Sequence, residues 1–249
     1  MLVLIAGISG NMGTRLARAA TSRGLSVRGL GRDASKVPED VKLESFVTST
    51  SYYDIPAIEK AVQGVDSIIC AYMSTDVLIL DGQLILLRAA ERAGVKIFFP
   101  ASWNNDWTKN KFGDFEHYDT YIAFQHQAAL TSPIKPVYIF NGFFESLLFT
   151  VFGPGGFHTA GELAAAYHKA TGTPAKVVRA GSVEDIAQEV QAAREEKGLA
   201  EYWDYAAQAL SLNVARGVWD IPAEEVINLD HAKKPTVLED YLKHRFQSS

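Results

Sequence analysis

The side chains best suited to acid–base chemistry lie in or just after a segment rich in polar and aromatic residues, 102–121. His117, Tyr118 and Tyr121 belong to this segment, and His126 follows it. A histidine titrates near neutral pH, and a tyrosine hydroxyl can also transfer a proton. We predict that these four residues include the catalytic acid–base group. The alternative for each is an ordinary surface or half-buried polar position.

Two tryptophans of the same segment, Trp103 and Trp107, could bind a flat aromatic molecule. Their rings offer large apolar faces, and loops held by a rigid sheet commonly carry binding residues. The histidines and the neighbouring carboxylates Asp114 and Glu116 lack the spacing of a recognised metal site. We therefore predict an aromatic substrate and assign no metal ion.

The elements that position these residues alternate between short apolar runs and amphipathic segments. The apolar runs predict strands at Leu2–Ala6, Ser26–Leu30, Ser67–Ala71, Val95–Pro100 and Val137–Phe140. The amphipathic segments predict helices at Asn11–Ser22, Ile55–Gln63, Asp76–Ala93 and Asp119–Thr131. Strands that alternate with helices form parallel sheets, and such strands are apolar because both faces are buried. This part of the chain is therefore predicted to be an α/β domain.

The second half of the chain has a different pattern, in which helical segments follow one another. Only Lys176–Arg179 has a strand-like composition there, and Ser182 with Asp185 forms a capping-box pattern at the start of a helix. We predict an α/β domain of residues 1–142 and a smaller, mostly helical region of residues 143–249.

A glycine motif connects the first predicted strand to the first predicted helix, with glycines at positions 7, 10 and 13. The first glycine permits a tight turn, the second lets backbone approach a pyrophosphate, and the third lets the helix pack closely on the sheet. The N–H groups and positive dipole of a helix N-terminus attract phosphate. The motif therefore predicts a dinucleotide site. The residues of this motif expected to contact the dinucleotide are Gly7, Ser9, Gly10, Asn11, Met12 and Gly13.

Arg32 and Lys36 follow the second predicted strand and favour NADP(H) over NAD(H) as the cofactor. That strand ends without the acidic residue that would bind the ribose 2′-hydroxyl of NAD. A guanidinium, helped by an amine, can hold the 2′-phosphate of NADP. The alternative is that Arg32 and Lys36 belong to a solvated loop, and the neighbouring Asp33 leaves both interpretations open.

These motifs together resemble the NmrA-like, isoflavone-reductase-like group of atypical short-chain dehydrogenases. The similar features are the glycine motif after an N-terminal strand, the turn at residues 31–33 and the run Pro100–Trp103. Further similar segments are Val62–Asp66, Pro136–Phe144 and Glu162–Gly172. The resemblance covers most of the chain. It implies a Rossmann-type doubly wound parallel sheet with a small, mostly helical C-terminal substrate region.

The resemblance also implies which residues surround the nicotinamide end of NADP(H). They lie at the carboxyl edge of the sheet, where open α/β sheets bind ligands. The residues expected to contact the cofactor there are Tyr72, Met73, Ser102, Asn141, Gly142 and Phe143. The residues expected to contact the substrate are Trp103, Trp107 and Phe144.

The sequence departs from this family in two places. Reductases of the group usually carry a lysine where this chain has Gln127 or an immediate neighbour, and a glutamine cannot supply a proton with a tuned pKa. Gln127 is therefore expected only to orient a substrate carbonyl. The segment Phe152–Phe157 is also shorter than in the family, which has part of its substrate pocket there. A Tyr-x-x-x-Lys pair is excluded because Tyr118 and Tyr121 have no lysine four residues later.

Composition limits the partners of the chain. A net charge of −5 and a pI of about 5.7 leave no basic stripe for nucleic acid. The single cysteine, Cys70, lies in an apolar run, is expected to be buried and fits a reducing compartment. The apolar run Leu2–Gly7 is too short to span a bilayer. We expect a cytoplasmic monomer or homodimer with no membrane or nucleic-acid partner.

Three functions agree with these observations. The first is an NADPH-dependent reductase acting on an aromatic or polycyclic natural product of secondary metabolism. The second is a non-redox cyclase, condensation enzyme or isomerase on the same fold, since the family lysine is replaced. The third is a non-catalytic sensor of the NADP redox state that binds a transcriptional regulator. The aromatic-rich segment 102–121 favours an enzyme over the sensor.

Overall fold

The computed structural model describes residues 1–142, 160–179, 181–220, 240 and 242–244. The chain divides into two compact units, Met1–Gly142 and Phe143–Ser249. None of the helices in the described ranges combines the length and apolar character needed to cross a membrane.

The first unit contains a five-stranded parallel sheet with the order β3-β2-β1-β4-β5. The strands are β1 (Leu2–Ala6), β2 (Ser26–Gly31), β3 (Ser45–Thr48), β4 (Ser67–Cys70) and β5 (Ile97–Phe99). The order reverses direction at β1, because β2 and β3 extend to one side and β4 and β5 to the other. This reversal opens a crevice at the carboxyl ends of β1 and β4. The sheet is a Rossmann-type parallel sheet, as the sequence predicts.

The helices of the first unit follow the strands. They are α1 (Asn11–Ser22), α2 (Ile55–Val62), α3 (Gln83–Arg92) and α4 (Asp119–Thr131). The bounds predicted for α1 and α4 are confirmed. The predicted helix Asp76–Ala93 is divided, since a π-helical turn, Leu78–Gly82, precedes α3.

The central strands form the core on which the site is built. Leu4 and Ile5 of β1 and Ile68 of β4 are completely buried, as strands covered on both faces require. Ala17 and Ala20 of α1 pack against the β1 side of this core. Small side chains on α1 let the helix lie close to the sheet, so its N-terminus reaches the crevice.

The predicted strand Val137–Phe140 is wrong, because these residues do not form a strand of the sheet. The Val137 N–H donates to the Phe98 carbonyl at 2.9 Å, which is one bond of a ladder beside β5. Beyond it, the Ser102 hydroxyl accepts from the Ile139 N–H at 2.9 Å and donates to the Ile139 carbonyl at 3.0 Å. A side chain therefore takes the place of the backbone partner that a strand would need.

The described residues of the second unit are mostly helical. The helices are α5 (Ala160–Thr171), α6 (Val183–Lys197) and α7 (Ala206–Ala215). The predicted capping box is confirmed: Ser182 accepts from the Asp185 N–H, and the Asp185 side chain accepts from the Ser182 N–H. The strand-like run Lys176–Arg179 is not a strand. The short segment Phe152–Phe157 lies outside the described residues.

Candidate functional site

The turn after β1 can only be formed by glycine at position 7. Gly7 has a φ of +80°, a backbone conformation that disfavours residues with a side chain. A Cβ atom at Gly7 would lie 2.6 Å from the Ala71 carbonyl oxygen. The Gly7 N–H donates to the Leu30 carbonyl at the end of β2, at 2.9 Å. The turn is thus held between the ends of β2 and β4, beside the crevice.

The start of α1 packs directly on this turn. A Cβ atom at Gly13 would lie 2.7 Å from the Ile8 Cα, so only glycine allows the observed approach. Two hydrogen bonds fix the turn: the Gly10 N–H donates to the Gly7 carbonyl at 3.0 Å, and the Thr14 hydroxyl donates to the Ile8 carbonyl at 3.1 Å. Gly7 and Gly13 therefore have the structural roles that the sequence predicts for them, and the approach of Gly10 to a pyrophosphate stays a prediction.

The N-terminus of α1 is suited to an anion. Gly10 is the N-cap, no side chain caps the helix, and its first turn contains no acidic residue. The first N–H groups of a helix have no acceptor within it, and the dipole makes this end positive. The Asn11 side chain is engaged within the helix, where it accepts from the Arg15 guanidinium at 2.7 Å. Backbone, rather than side chains, would bind a phosphate here.

Residues at the end of β2 continue the same surface. A Cβ atom at Gly31 would lie 3.7 Å from the Ser9 hydroxyl, so the glycine turn and the end of β2 are adjacent. Arg32 and Lys36 are exposed. The Asp33 carboxylate accepts from both the N–H and the hydroxyl of Ser35, at 2.9 and 2.7 Å, and these bonds lower its pKa. Asp33 is therefore engaged as a cap for the turn Ala34–Lys36.

The chain after β4 forms the opposite side of the crevice. The half-buried ring of Tyr72 lies beside the turn, where its Cδ1 would be 3.3 Å from a Cβ atom at Gly7. Burial raises the pKa of the Tyr72 phenol. The next residue, Met73, is 69% exposed. Tyr72 is thus placed where the family resemblance expects it, and the Met73 side chain points to solvent.

Ser74 joins two of the predicted acid–base residues. Its hydroxyl lies 2.9 Å from the His117 Nε2 and 2.5 Å from the Tyr121 hydroxyl. Ser74 follows β4, His117 lies in the short turn Glu116–Tyr118 and Tyr121 lies in α4. Ser74 was not predicted from the sequence. Its only sequence signal was a hydroxyl residue just after a strand end, at the edge where ligands bind.

Asn104 holds the neighbouring groups together. Its side-chain oxygen accepts from the Tyr118 hydroxyl at 2.8 Å, and its backbone carbonyl accepts from the N–H groups of Asn141 and Gly142, both at 3.2 Å. The Tyr118 phenol is therefore used to position Asn104. Asn141 and Gly142 are held at the same edge of the sheet as Ser74, whereas Phe143 and Phe144 lie outside the described residues.

Burial sets the protonation of the His117 side chain. Desolvation lowers its pKa from 6.5 to about 4, so the imidazole is neutral at physiological pH. Burial raises the pKa of the Tyr121 phenol, and its bonds to Ser74 and Asn104 act in the opposite direction. A neutral imidazole and a protonated phenol are therefore joined through one serine hydroxyl.

This burial predicts a pH-dependent stability. The unfolded chain takes up a proton near the usual histidine pKa of 6.5, whereas folded His117 has a pKa of about 4. The contribution of His117 to the free energy of unfolding is thus complete above pH 6.5 and is lost as the pH falls towards 4. Between pH 7 and 5 we expect wild type to lose about 2 kcal/mol more free energy of unfolding than His117→Gln. Urea titrations at both pH values test this, with the exposed His126→Gln as a control that behaves like wild type.

Two other predicted catalytic residues are not brought into this cluster. His126 and Gln127 are exposed on α4, whereas Tyr121, Ile122 and Phe124 form the buried side of the helix. The His126 ring lies 5.6 Å from the ring of Phe112. The catalytic roles predicted for His126 and Gln127 are not supported by their placement, because both residues lie on the solvent side of α4.

Trp103 and Trp107, which were predicted to contact an aromatic substrate, differ in their burial. Trp107 is only 1% exposed, and its ring packs between those of Tyr138 and Phe140 at 5.3 and 5.7 Å. Trp107 is therefore placed as a core residue, and this placement does not support its predicted role as a substrate contact. The half-buried Trp103 donates its indole N–H to the Cys70 carbonyl at 2.8 Å, at the end of β4.

The Ser102 hydroxyl is likewise engaged by the backbone of Ile139. Ser102 is 1% exposed, so its placement supports a structural role, and its contact with the cofactor stays a prediction. Cys70 is fully buried as expected, and burial raises the pKa of its thiol to about 12. Across the described ranges, no group of three or more His, Cys, Asp or Glu is placed to hold a metal ion.

Comparison with known proteins identifies the family. The model of the NmrA-like family matches residues 1–153, which is more than half of the chain. The chain belongs to the NmrA-like family. The resemblance inferred from the motifs is thus confirmed. No curated protein sequence matches this NmrA-like chain.

Solved structures share the fold of this NmrA-like protein at low identity. The leucoanthocyanidin reductase–NADPH complex from Vitis vinifera has a TM-score of 0.73 and 15% identity, over 99% of this chain and 100% of that one. Isoflavone reductase has a TM-score of 0.71 and 16% identity, over 98% and 99%. An NADPH-dependent quinone oxidoreductase from Escherichia coli has a TM-score of 0.65 and 16% identity, also over 98% and 99%. The match to AtPrR2 with NADP+ and (+)pinoresinol covers 59% of this chain and 51% of that one, with a TM-score of 0.51 and 22% identity.

Proposed function

We propose that this NmrA-like protein binds NADP(H) and reduces a small aromatic molecule. The observation that carries the proposal is the arrangement of one sheet edge. The glycine turn and the uncapped N-terminus of α1 lie at the ends of β1 and β2, and the cluster of Ser74, His117 and Tyr121 follows β4. One group of residues suits phosphate and the other suits proton transfer. Several proteins of similar fold are described as reductases or as complexes with NADPH.

The residues of the crevice fit a dinucleotide phosphate. The turn has no room for a side chain at Gly7 or Gly13, so backbone N–H groups can approach a pyrophosphate closely. Arg32 directly follows Gly31, which lies beside Ser9, and Arg32 and Lys36 are both exposed and could bind the 2′-phosphate of NADP. The Asp33 carboxylate, which could have favoured NAD by binding the ribose hydroxyl, accepts hydrogen bonds from Ser35 instead. When bound, NADPH would supply a hydride to the substrate.

The substrate class is part of the same proposal. Leucoanthocyanidin reductase and isoflavone reductase are named for aromatic polycyclic compounds, and similar chemistry here would be a step of secondary metabolism. Trp103 and Phe144 are the aromatic residues proposed to contact the substrate. We propose the unit Phe143–Ser249 as the substrate-binding region, the role that the family resemblance implies.

Substitution of Arg32 by alanine tests the cofactor preference. We expect Arg32→Ala to weaken NADPH and NADP+ binding about tenfold, because a charge-assisted contact to the 2′-phosphate is lost. NADH and NAD+ binding should stay within twofold of wild type. Calorimetric titration with all four dinucleotides measures these affinities. Arg92→Ala, which removes an exposed arginine paired with Glu59, is the control and should bind all four as wild type does.

Either of two results would contradict this proposal. Failure of the wild-type protein to bind any of the four dinucleotides would remove the cofactor from the function. Equal losses for NADPH and NADH in Arg32→Ala would mean that Arg32 does not recognise the 2′-phosphate.

A non-redox reaction is the second candidate, since α4 contains no lysine and its Gln127 is exposed. The mass of the product distinguishes the reductase from the non-redox enzyme. Incubation with NADPH and a panel of aryl ketones, enones and quinones should yield a product heavier by two hydrogens. A product of unchanged mass, or one that has lost water, would favour the cyclase, condensation or isomerase function.

A further inference from the structure

We propose that Ser74 is the central residue of a proton relay, which carries a proton from His117 to Tyr121 and then to the substrate oxygen. This inference rests on the proposed reductase function and adds the path of the proton to it. Tyr121 would be the catalytic residue; it is 4% exposed, so a bound substrate would have to displace the side chains that cover its hydroxyl. Ser74 and His117 would act through Tyr121.

The relay is formed by three side chains from separate parts of the first unit. Ser74 is 43 residues from His117 and 47 from Tyr121 along the chain, and its hydroxyl lies within hydrogen-bond distance of both. The rings of His117 and Tyr121 also pack at 5.7 Å. Tertiary folding, rather than local sequence, therefore makes Ser74 the connection between them.

Hydrogen-bond capacity gives the relay a direction. A serine hydroxyl has one proton and two acceptor positions, so Ser74 can accept from one neighbour while it donates to the other. When His117 donates from Nε2, Ser74 donates to Tyr121, and the Tyr121 proton is available to a substrate. Reversal of all three bonds returns the proton by the same path. The arrangement therefore serves both the forward and the reverse reaction.

The surroundings of the three side chains favour transfer of a proton from His117 towards Tyr121. Desolvation lowers the pKa of His117 to about 4, so the imidazole is neutral near pH 7 and, in the tautomer that carries its proton on Nε2, donates that proton to Ser74. Titratable groups near the relay include Asp76 and Cys70, which raise the pKa of Tyr121, and Tyr118, whose ring lies 5.4 Å from that of His117. Burial raises the pKa of the Cys70 thiol to about 12, so Cys70 is neutral near pH 7.

The step balances as follows for a carbonyl substrate. Tyr121 would donate its proton to the carbonyl oxygen as the carbon–oxygen double bond becomes single, while a hydride of the kind that bound NADPH would supply is added to the carbonyl carbon. Tyr121 regains a proton from Ser74, and Ser74 regains one from His117. His117 takes its replacement from water. The three side chains end unchanged, and the product has gained one hydride and one proton.

Removal of the serine hydroxyl should interrupt this path. We expect Ser74→Ala to lower kcat about thirtyfold with the aryl carbonyl or quinone that wild type reduces, and to leave NADPH affinity within twofold. Ser74→Thr, which retains a hydroxyl, should recover most of the rate. Thr75→Ala is the matched control, because it removes a hydroxyl from the next residue and should keep the wild-type kcat. A kcat for Ser74→Ala equal to that of Thr75→Ala would overturn the relay.

A second measurement needs no substrate. NMR titration of protein with labelled histidine and tyrosine reports the His117 imidazole and the Tyr121 phenol directly. In the relay, Ser74→Ala shifts the titration or tautomer signals of both residues, whereas Thr75→Ala shifts neither. Unchanged signals in Ser74→Ala would overturn the relay even if no panel compound is reduced. Loss of NADPH binding in wild type would instead reject the proposed function, so the two failures are distinguishable.

Discussion

Replacement of Gly7 by alanine is expected to lower the free energy of unfolding by about 3 kcal/mol. Two costs combine at this position. The φ of +80° disfavours any side chain, and a Cβ atom would lie 2.6 Å from the Ala71 carbonyl oxygen, which belongs to backbone and cannot rotate away. Because the turn also positions α1, calorimetry should detect no NADPH binding by Gly7→Ala.

Gly24→Ala separates the two costs. Gly24 has a φ of +76°, similar to that of Gly7, but a Cβ atom there meets nothing within 4 Å. Only the conformational cost remains, so this variant should lose about 1 kcal/mol and bind NADPH as wild type does. Chemical denaturation of both variants measures the difference. Equal losses would mean that close contact with β4 does not constrain the turn.

The glycine turn and its flanking elements could be predicted because their signals are local. An apolar run, three glycines and an amphipathic segment follow one another within residues 2–22, and each specifies a backbone conformation by itself. The strand β3 was not assigned from the pattern. It has four residues, and only Val47 of these is buried, so its apolar signal is short. Pairing with β2, rather than composition, makes this segment a strand.

The acid–base cluster could be predicted only in part, because its connections are not local. The residue types of His117 and Tyr121 indicated that they are acid–base candidates, since few side chains transfer protons near neutral pH. Nothing near Ser74 in the sequence indicates that it meets them, as the contact depends on how α4 packs against the edge of the sheet. The same reason explains why His126 was named as a candidate but lies outside the cluster: its residue type was suitable, and its position on α4 faces solvent.

Replacement of Trp107 by alanine is expected to lower the free energy of unfolding by about 4 kcal/mol, because a large buried ring leaves a cavity. The ring packs against those of Tyr121, Tyr138 and Phe140. Trp203→Ala is the control, since Trp203 is 62% exposed, and it should cost less than 1 kcal/mol. Urea titration of both variants measures these values.

Trp107→Phe distinguishes packing from recognition. The Trp107 indole N–H has no hydrogen-bond partner in the described parts of the chain, so a phenyl ring loses volume there but no hydrogen bond. We expect a loss of about 1 kcal/mol with NADPH binding and kcat retained. If Trp107 were instead a substrate contact, Trp107→Ala would retain its stability and raise KM. Trp107 packs against Tyr121, so a core role predicts that Trp107→Ala loses both stability and activity. The same role predicts that Trp107→Phe retains its activity and most of its stability.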